Sequence, residues 1–234
     1  KTLQLPRHAW SPSHSNYQCA QRGRGRNRTK KYDVMKNSSI FQQMMSGEWY
    51  QANDPELIKF LRRSQQENFE INQMPQSDID ARNRRIAKFF GAAGEDLLVI
   101  TPMYCDYGCN IKVGKHFFAN FNFTVLDEAE VTFGDHVFIG PNCSFYTAIH
   151  PIDVERRNQL LERSEPIHVG DNVWFGGNVT VLPGVTIGSN TTIGAGSVVT
   201  HDIPDGVVAV GNPCRVIRHV AETKDGQCLS QTFR

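Results

Sequence analysis

From Val169 the chain keeps a beat of six. Aliphatic or aromatic residues recur at Val169, Phe175, Val181, Ile187, Ile193 and Val199. Glycine follows four of the first five (Gly170, Gly176, Gly188, Gly194), and Leu182 takes the remaining place. A second set, four residues further on, is small or β-branched throughout: Val173, Val179, Val185, Thr191 and Ser197. A period of six is neither the roughly 3.6 of a helix nor the roughly 8–12 residues between the turns of a hairpin ladder. It fits a parallel β-helix, in which each hexapeptide supplies one short strand and one turn and three hexapeptides close a triangular coil. The residue at the head of each hexapeptide points inward, β-branched residues suit the pleated wall, and glycine follows where a turn crowds a side chain or needs φ > 0.

The same beat runs upstream at Phe133, Ile139 and Phe145, in phase with Val169, with Gly134 and Gly140 after the first two and Val137 and Cys143 in the small positions. Val113, Ala119 and Val125 also step by six but stand two out of phase with Phe133, so the stretch around 126–129 must hold a bulge or a small corner insertion. Between Phe145 and Val169 the phase survives while the inward places fall on Pro151, Arg157 and Arg163. An arginine cannot point into a narrow apolar coil without a partner. Residues 148–166 therefore leave the coil as an extruded loop, the kind of segment that carries function on a repeat scaffold.

Ahead of the repeats the pattern is helical. Asn53 or Asp54 caps a segment with Pro55 in its first turn and apolar Leu57, Ile58, Leu61 and Phe69, and Ser77 or Asp78 caps another ending at Gly91. Two main helices are expected between about 54 and 91, with a short one near 38–46. The 234 residues thus divide into a basic extension over 1–34, a helical segment over 35–96, a β-helix over 97–219 and a tail over 220–234. The extension holds eight Lys or Arg against one acid, a net +7, whereas the remaining 200 residues carry 17 basic and 23 acidic residues, a net −6. Its "RGRGRNRTKK" is read as disorder or a start placed too early, with Met35 the natural opening, rather than as a nucleic-acid surface. The six cysteines form no CxxC pair, which suits a reducing cytoplasm, and no apolar run is long enough to span a membrane.

Three stretches, "MMSGEWYQANDPEL", "CDYGCNIKVGKHFFANFNFTVLDEAEVTFGDHVFIGPNCSFYTAIHPID" and "PIHVGDNVWFGGNVTVLPGVTIGSNTTIGAGSVVTHDIPDGVVAVGNPCRVIR", resemble the maltose/galactoside O-acetyltransferases, hexapeptide-repeat sugar acetyltransferases that include the nodulation acetyltransferases. The resemblance covers roughly residues 38–219. It implies a left-handed parallel β-helix with a small N-terminal helical region, a homotrimer with sites between subunits, and transfer of acetyl from acetyl-CoA to a sugar hydroxyl, with no metal. It makes His150 the general base, its second ring nitrogen held so that Nε2 accepts, with Asn120 beside it in the catalytic centre. Acceptor contacts fall to Asp54, Asp106, Asn120 and Glu128, with Asp127 a neighbouring substitute. Coenzyme A contacts fall to Trp174, Gly177, Ala195, Thr200, His201, Arg215 and Arg218. His201 departs from the family's usual lysine, which makes any phosphate contact there dependent on pH. The plainer roles are also open: Asp54 as a helix cap, Asn120 and Asn122 as left-handed corner residues, Trp174 as packing. An amine or serine acceptor remains an alternative, as does a γ-carbonic-anhydrase-like zinc enzyme, although His116, His136, His150 and His168 lack that enzyme's close histidine pair.

Overall fold

The computed structural model describes residue 35 and residues 37–220, so the basic extension and nearly all of the tail lie outside the described residues. Three helices come first: α1 (Ser39–Met45), α2 (Pro55–Asn72) and α3 (Ile79–Phe89). A parallel β-helix follows. Its first face stacks strands 103–105, 123–126, 144–146, 180–181 and 198–199, and its second stacks 92–93, 111–113, 131–133, 167–169 and 186–187. Its third stacks 98–99, 118–119, 138–139, 174–175, 192–193 and 207–210, and is closed by an antiparallel strand, Arg215–His219. No helix is long and apolar enough to cross a membrane among the described residues.

The inward residues form the core. Phe123, Phe133, Phe145 and Phe175 meet edge to face with ring centroids 5.0–6.0 Å apart. The small positions Val173, Val179, Val185, Thr191 and Ser197 are buried as well. The glycines after the inward residues answer to crowding: a Cβ on Gly176 would stand 2.5 Å from the Ala195 amide nitrogen. The left-handed backbone falls elsewhere, at corner residues such as Asn122, Asn142 and Asn178, with φ of 60°, 59° and 59°.

Register shows where the beat is broken. Val113 pairs with Phe133, twenty residues on; Phe133 pairs with Val169, thirty-six on; Val169 pairs with Ile187, eighteen on; and Ile187 bridges Ile203, sixteen on. The steps between the second and third faces and between the third and first remain six throughout. Every inserted or missing residue lies at the corner between the first and second faces, called corner 1/2. Two extra residues enter there after Cys105, two after Val125 and eighteen after Phe145.

The helices seal the open end of the coil. An edge strand exposes unpaired N–H and C=O groups. Here α2 supplies the partners: Asn68 Nδ2 donates to Cys105 O (2.6 Å), Asn72 Nδ2 to Met103 O (2.9 Å), and Asn72 Oδ1 accepts from Met103 N (3.0 Å). Asn83 of α3 accepts from Val99 N on the third face. A second apolar cluster, including Phe41, Met44, Tyr50, Phe60, Tyr107 and Cys109, packs α1 and α2 onto the first insertion at corner 1/2.

Phe145 sits in the middle of the aromatic stack with no exposed surface. Phe145→Ala should cost roughly 3–5 kcal/mol of stability, measured by urea unfolding; Ile152→Ala, in the exposed loop, should change it by less than about 0.5 kcal/mol.

Candidate functional site

Residues 148–166 form a hairpin on corner 1/2. Ala148–Ile149 runs antiparallel to Leu161–Ser164, with Ile149 opposite Arg163, and a short helix, α4 (Val154–Asn158), capped by Asp153, fills the connection. The far strand also pairs with Tyr50–Gln51, Tyr50 standing opposite Glu162. Two strands from one loop and a third from the N-terminal layer therefore make a small sheet across the corner. Ser164 donates to Met44 O (2.8 Å), and the guanidinium groups of Arg156 and Arg163 lie 4.6 and 5.5 Å from the Trp49 ring centre. The inward phase of Arg163 is thus abandoned for a cation–π contact.

The hairpin register sets His150 next to Glu162. His150 Nε2 lies 3.5 Å from Glu162 Oε2, with the imidazole largely open to solvent and the carboxylate nearly covered. Tyr50 donates its hydroxyl to the other oxygen of Glu162. Burial, then Glu162, holds the Tyr50 phenol far above its ordinary value, so it stays a neutral donor. Burial also raises Glu162, against the pull of Tyr50 and His150. Nε2 is the imidazole nitrogen nearer to that carboxylate.

Beneath the hairpin lie the two smaller insertions. Asp127 is fully buried; its carboxylate accepts from the amides of Tyr107 (2.8 Å), Asp106 (3.0 Å) and Asn110 (3.3 Å), and Asn110 Nδ2 donates to its carbonyl (2.7 Å). It ties one insertion to the next and is not available to an acceptor, so it cannot substitute for Glu128. Burial nevertheless pushes its carboxyl up to about 8, against those amide donors. Glu128 is buried beside Asp106 and within 3.2 Å of Thr147 Oγ1; burial and then the Asp106 contact hold it well above the usual carboxylate range. Asp106 is half-buried. His150, Glu162, Asp106 and Glu128 thus converge on one corner, with Tyr50 and Tyr107 behind them.

Other expected residues lie apart. Asp54 caps α2, its Oδ1 accepting from Glu56 N (2.8 Å), so the structure gives it a helix cap in place of the acceptor contact. Asn120 sits at the corner between the third and first faces, where its Oδ1 accepts from Phe121 N (2.8 Å). It is separated from Glu128 by the strand Phe123–Leu126, about 13 Å of backbone. Gly177 and exposed Ala195 share the corner of Asn120 in later coils, and Trp174 stands half-exposed on the third face between Phe138 and Thr192. Arg215 and Arg218 lie on the closing strand, and Thr200 Oγ1 meets His201 Nδ1 (2.7 Å). One chain therefore gathers the acceptor-type residues at corner 1/2, where Thr200 and His201 also fall in the last coil, and places Gly177 and Ala195 at another corner. The histidines do not gather: His116 and His136 stack at 4.6 Å on the corner between the second and third faces, and His168 Nδ1 meets Thr132. No group of three or more His, Cys, Asp or Glu side chains is placed to hold a metal among the described residues.

Glu162 and Tyr50 escaped sequence reading. Glu162 is one charge among several in "VERRNQLLERSE", and only the antiparallel register selects it.

The raised carboxyls set a sign for pH. In an unfolded chain Asp127 titrates at about 4, whereas the folded value is about 8. Between those values the native chain holds the extra proton, so stability falls as pH rises through that window. The melting temperature should drop between about pH 5 and pH 9. Asp127→Ala should remove part of that slope and cost roughly 1–3 kcal/mol for unpaired amides. A melting temperature that climbs over this range contradicts the assignment.

Comparison with known proteins follows the same anatomy. Residues 166–201 match the Bacterial transferase hexapeptide (six repeats) family, and residues 43–94 match the Maltose acetyltransferase hexapeptide capping motif. The galactoside O-acetyltransferase of Escherichia coli (strain K12) is 47% identical over 152 residues, 65% of this chain and 75% of that protein. The crystal structure of a maltose O-acetyltransferase from Clostridium difficile 630 is 44% identical, with a TM-score of 0.77 over 78% of this chain and 98% of that one. A galactoside acetyltransferase in complex with coenzyme A is 41% identical, with a TM-score of 0.75 over 79% and 92%. The capping motif spans the helices that close the coil, the repeat family spans the late coils, and the relatives cover both. The chain belongs to the maltose/galactoside O-acetyltransferase family of hexapeptide-repeat acetyltransferases.

Proposed function

We propose that the protein transfers acetyl from acetyl-CoA to a hydroxyl of a sugar of the maltose, glucose or galactoside type, with His150 as general base. The observation that carries this reading is the facing of His150 and Glu162 across the hairpin, backed by Tyr50 and set above Asp106 and Glu128. A sugar hydroxyl is a weak nucleophile at neutral pH and needs a base to take its proton. Glu162 faces the imidazole at 3.5 Å, and the ring accepts the proton of the attacking hydroxyl. The oxygen then adds to the thioester carbonyl, and the tetrahedral oxyanion is met by donors from the Asn120 side chain and the Gly177 amide. Collapse expels the coenzyme A thiolate, which recovers the proton from the His150 imidazolium. Glu162 stabilises that imidazolium while it exists. Arg215 and Arg218 suit the phosphates of the donor, and Trp174 the wall of its channel.

Asn120 and Gly177 lie at a different corner of the chain from His150. The site is therefore completed between subunits of a homotrimer, one chain giving the base and acceptor groups and its neighbour giving the oxyanion donors. The exposed column of Phe138 and Trp174 on the third face supports such an assembly.

Two experiments test the reading. Thiol release from acetyl-CoA is followed with a panel of maltose, glucose, a galactoside, an amine and serine. A sugar should be used best, with kcat reduced roughly 10²–10⁴-fold in His150→Ala and tenfold or more in Glu162→Gln. Release that is indifferent to His150, or confined to amine or serine, overturns the assignment. Separately, His150→Ala and Asn120→Ala chains, each inactive alone, are unfolded together and refolded as mixed trimers. Activity should return to roughly a quarter of the wild-type sites, since one interface of each mixed trimer recovers both residues. No recovery means that both residues serve one chain.

A further inference from the structure

The Glu162 carboxylate has two oxygens, and each has its own partner. Oε1 accepts from the Tyr50 hydroxyl, and Oε2 stands 3.5 Å from His150 Nε2. The two partners come from different parts of the chain. Tyr50 stands directly opposite Glu162 in the short strand pair of the N-terminal layer, and His150 follows Ile149 in the hairpin. The other groups facing Glu162 give no cation. Asp106 and Glu128 lie toward it from the insertions, with the phenol of Tyr107. Arg163, the next residue, is turned to the Trp49 ring and to Glu165. Among the described residues no Lys or Arg pairs with Glu162. A nearly covered carboxylate beside other acids stays an anion only through the groups that donate to it. Burial pushes the Glu162 carboxyl up, and the Tyr50 hydroxyl and then His150 pull it back.

The rest of Tyr50 has a separate task. Its ring is buried with Met35, Phe41, Met44, Leu57 and Phe60. A phenylalanine would fill that place, so the packing does not account for the hydroxyl. We propose that Tyr50 is a positioning residue for the base, its hydroxyl fixing the Glu162 carboxylate against His150. This rests on the reading of His150 given above. One anchored oxygen leaves the other turned to the imidazole, ready for the positive charge that forms when the ring takes a proton. Without the hydroxyl, Glu162 loses its anchor and is pushed toward the neutral acid, which does little for an imidazolium. Tyr50→Phe therefore acts as Glu162→Gln does.

The test has two readouts on the whole protein. The first needs no reaction. Glu162 is followed by carboxyl carbon-13 NMR, its resonance assigned by its loss in Glu162→Gln. Tyr50→Phe should move the Glu162 titration to higher pH, because a donor to the charged form is gone. The second is kinetic, at saturating acetyl-CoA. At neutral pH, Tyr50→Phe should lower kcat roughly tenfold, with acceptor KM changed less than about threefold. The double variant Tyr50→Phe/Glu162→Gln should fall no more than about twofold below the weaker single variant, since both changes remove one interaction. As pH rises, Tyr50→Phe should regain kcat relative to wild type while Glu162→Gln does not. A Glu162 titration unmoved in Tyr50→Phe overturns the proposal. So do losses that multiply in the double variant and stay constant with pH. Activity indifferent to His150 falls on the proposed reaction instead and leaves the NMR shift standing.

Discussion

Each coil is fastened to the next by a backbone ladder that tolerates no slippage. Gly114 N donates to Phe133 O (2.9 Å), Gly134 N to Val169 O (2.9 Å) and Gly170 N to Ile187 O (2.8 Å), so every inward residue sits directly over its predecessor. Shifting a strand by one residue would turn its apolar side chains outward. Extra residues must therefore be expelled at a corner, and in this chain they all leave at the same one. That single exit stacks three insertions, and their polar groups, too numerous for an apolar coil, meet there. The clustering of these polar groups is a consequence of where the ladder lets the chain out.

The helical layer has two tasks on the same scaffold. Asn68, Asn72 and Asn83 give the first strands the partners that a missing coil would have given. The layer also brings Tyr50 beside Glu162 and Met44 beside Ser164, fastening the hairpin that holds His150. End-capping and site assembly are thus coupled. A change that loosens α1 or α2 disturbs the orientation of His150 without touching it.

Much of this is legible in the residues. The period specifies the coil, the two-residue slip between Val125 and Phe133 locates an insertion, and Arg157 and Arg163 in inward phase mark a loop. His150 is visible because it stands where the beat fails. What stays hidden depends on pairing across long separations. Nothing in "LLERSE" distinguishes Glu162 from Glu165 until antiparallel register sets it opposite Tyr50. Asp127 and Glu128 are adjacent carboxylates of similar chemistry, yet one is spent on three amides and the other faces Asp106. Asp54 has the composition of an acceptor ligand and the position of a cap, and the cap wins. Asn120 is legible in the sequence as a corner residue, but its separation from His150 follows only from which faces flank it.

The stacked coil pairs its strands without the hairpin, whereas His150 and Glu162 exist only on it. The most direct measurement is made on a chain lacking residues 148–165, which restores a step of six from inward Phe145 to Val169. Coenzyme A binding by calorimetry and acetyl transfer to the preferred sugar are measured on that chain. The shortened chain should fold, bind coenzyme A and transfer no acetyl. Transfer that survives the excision would contradict this prediction.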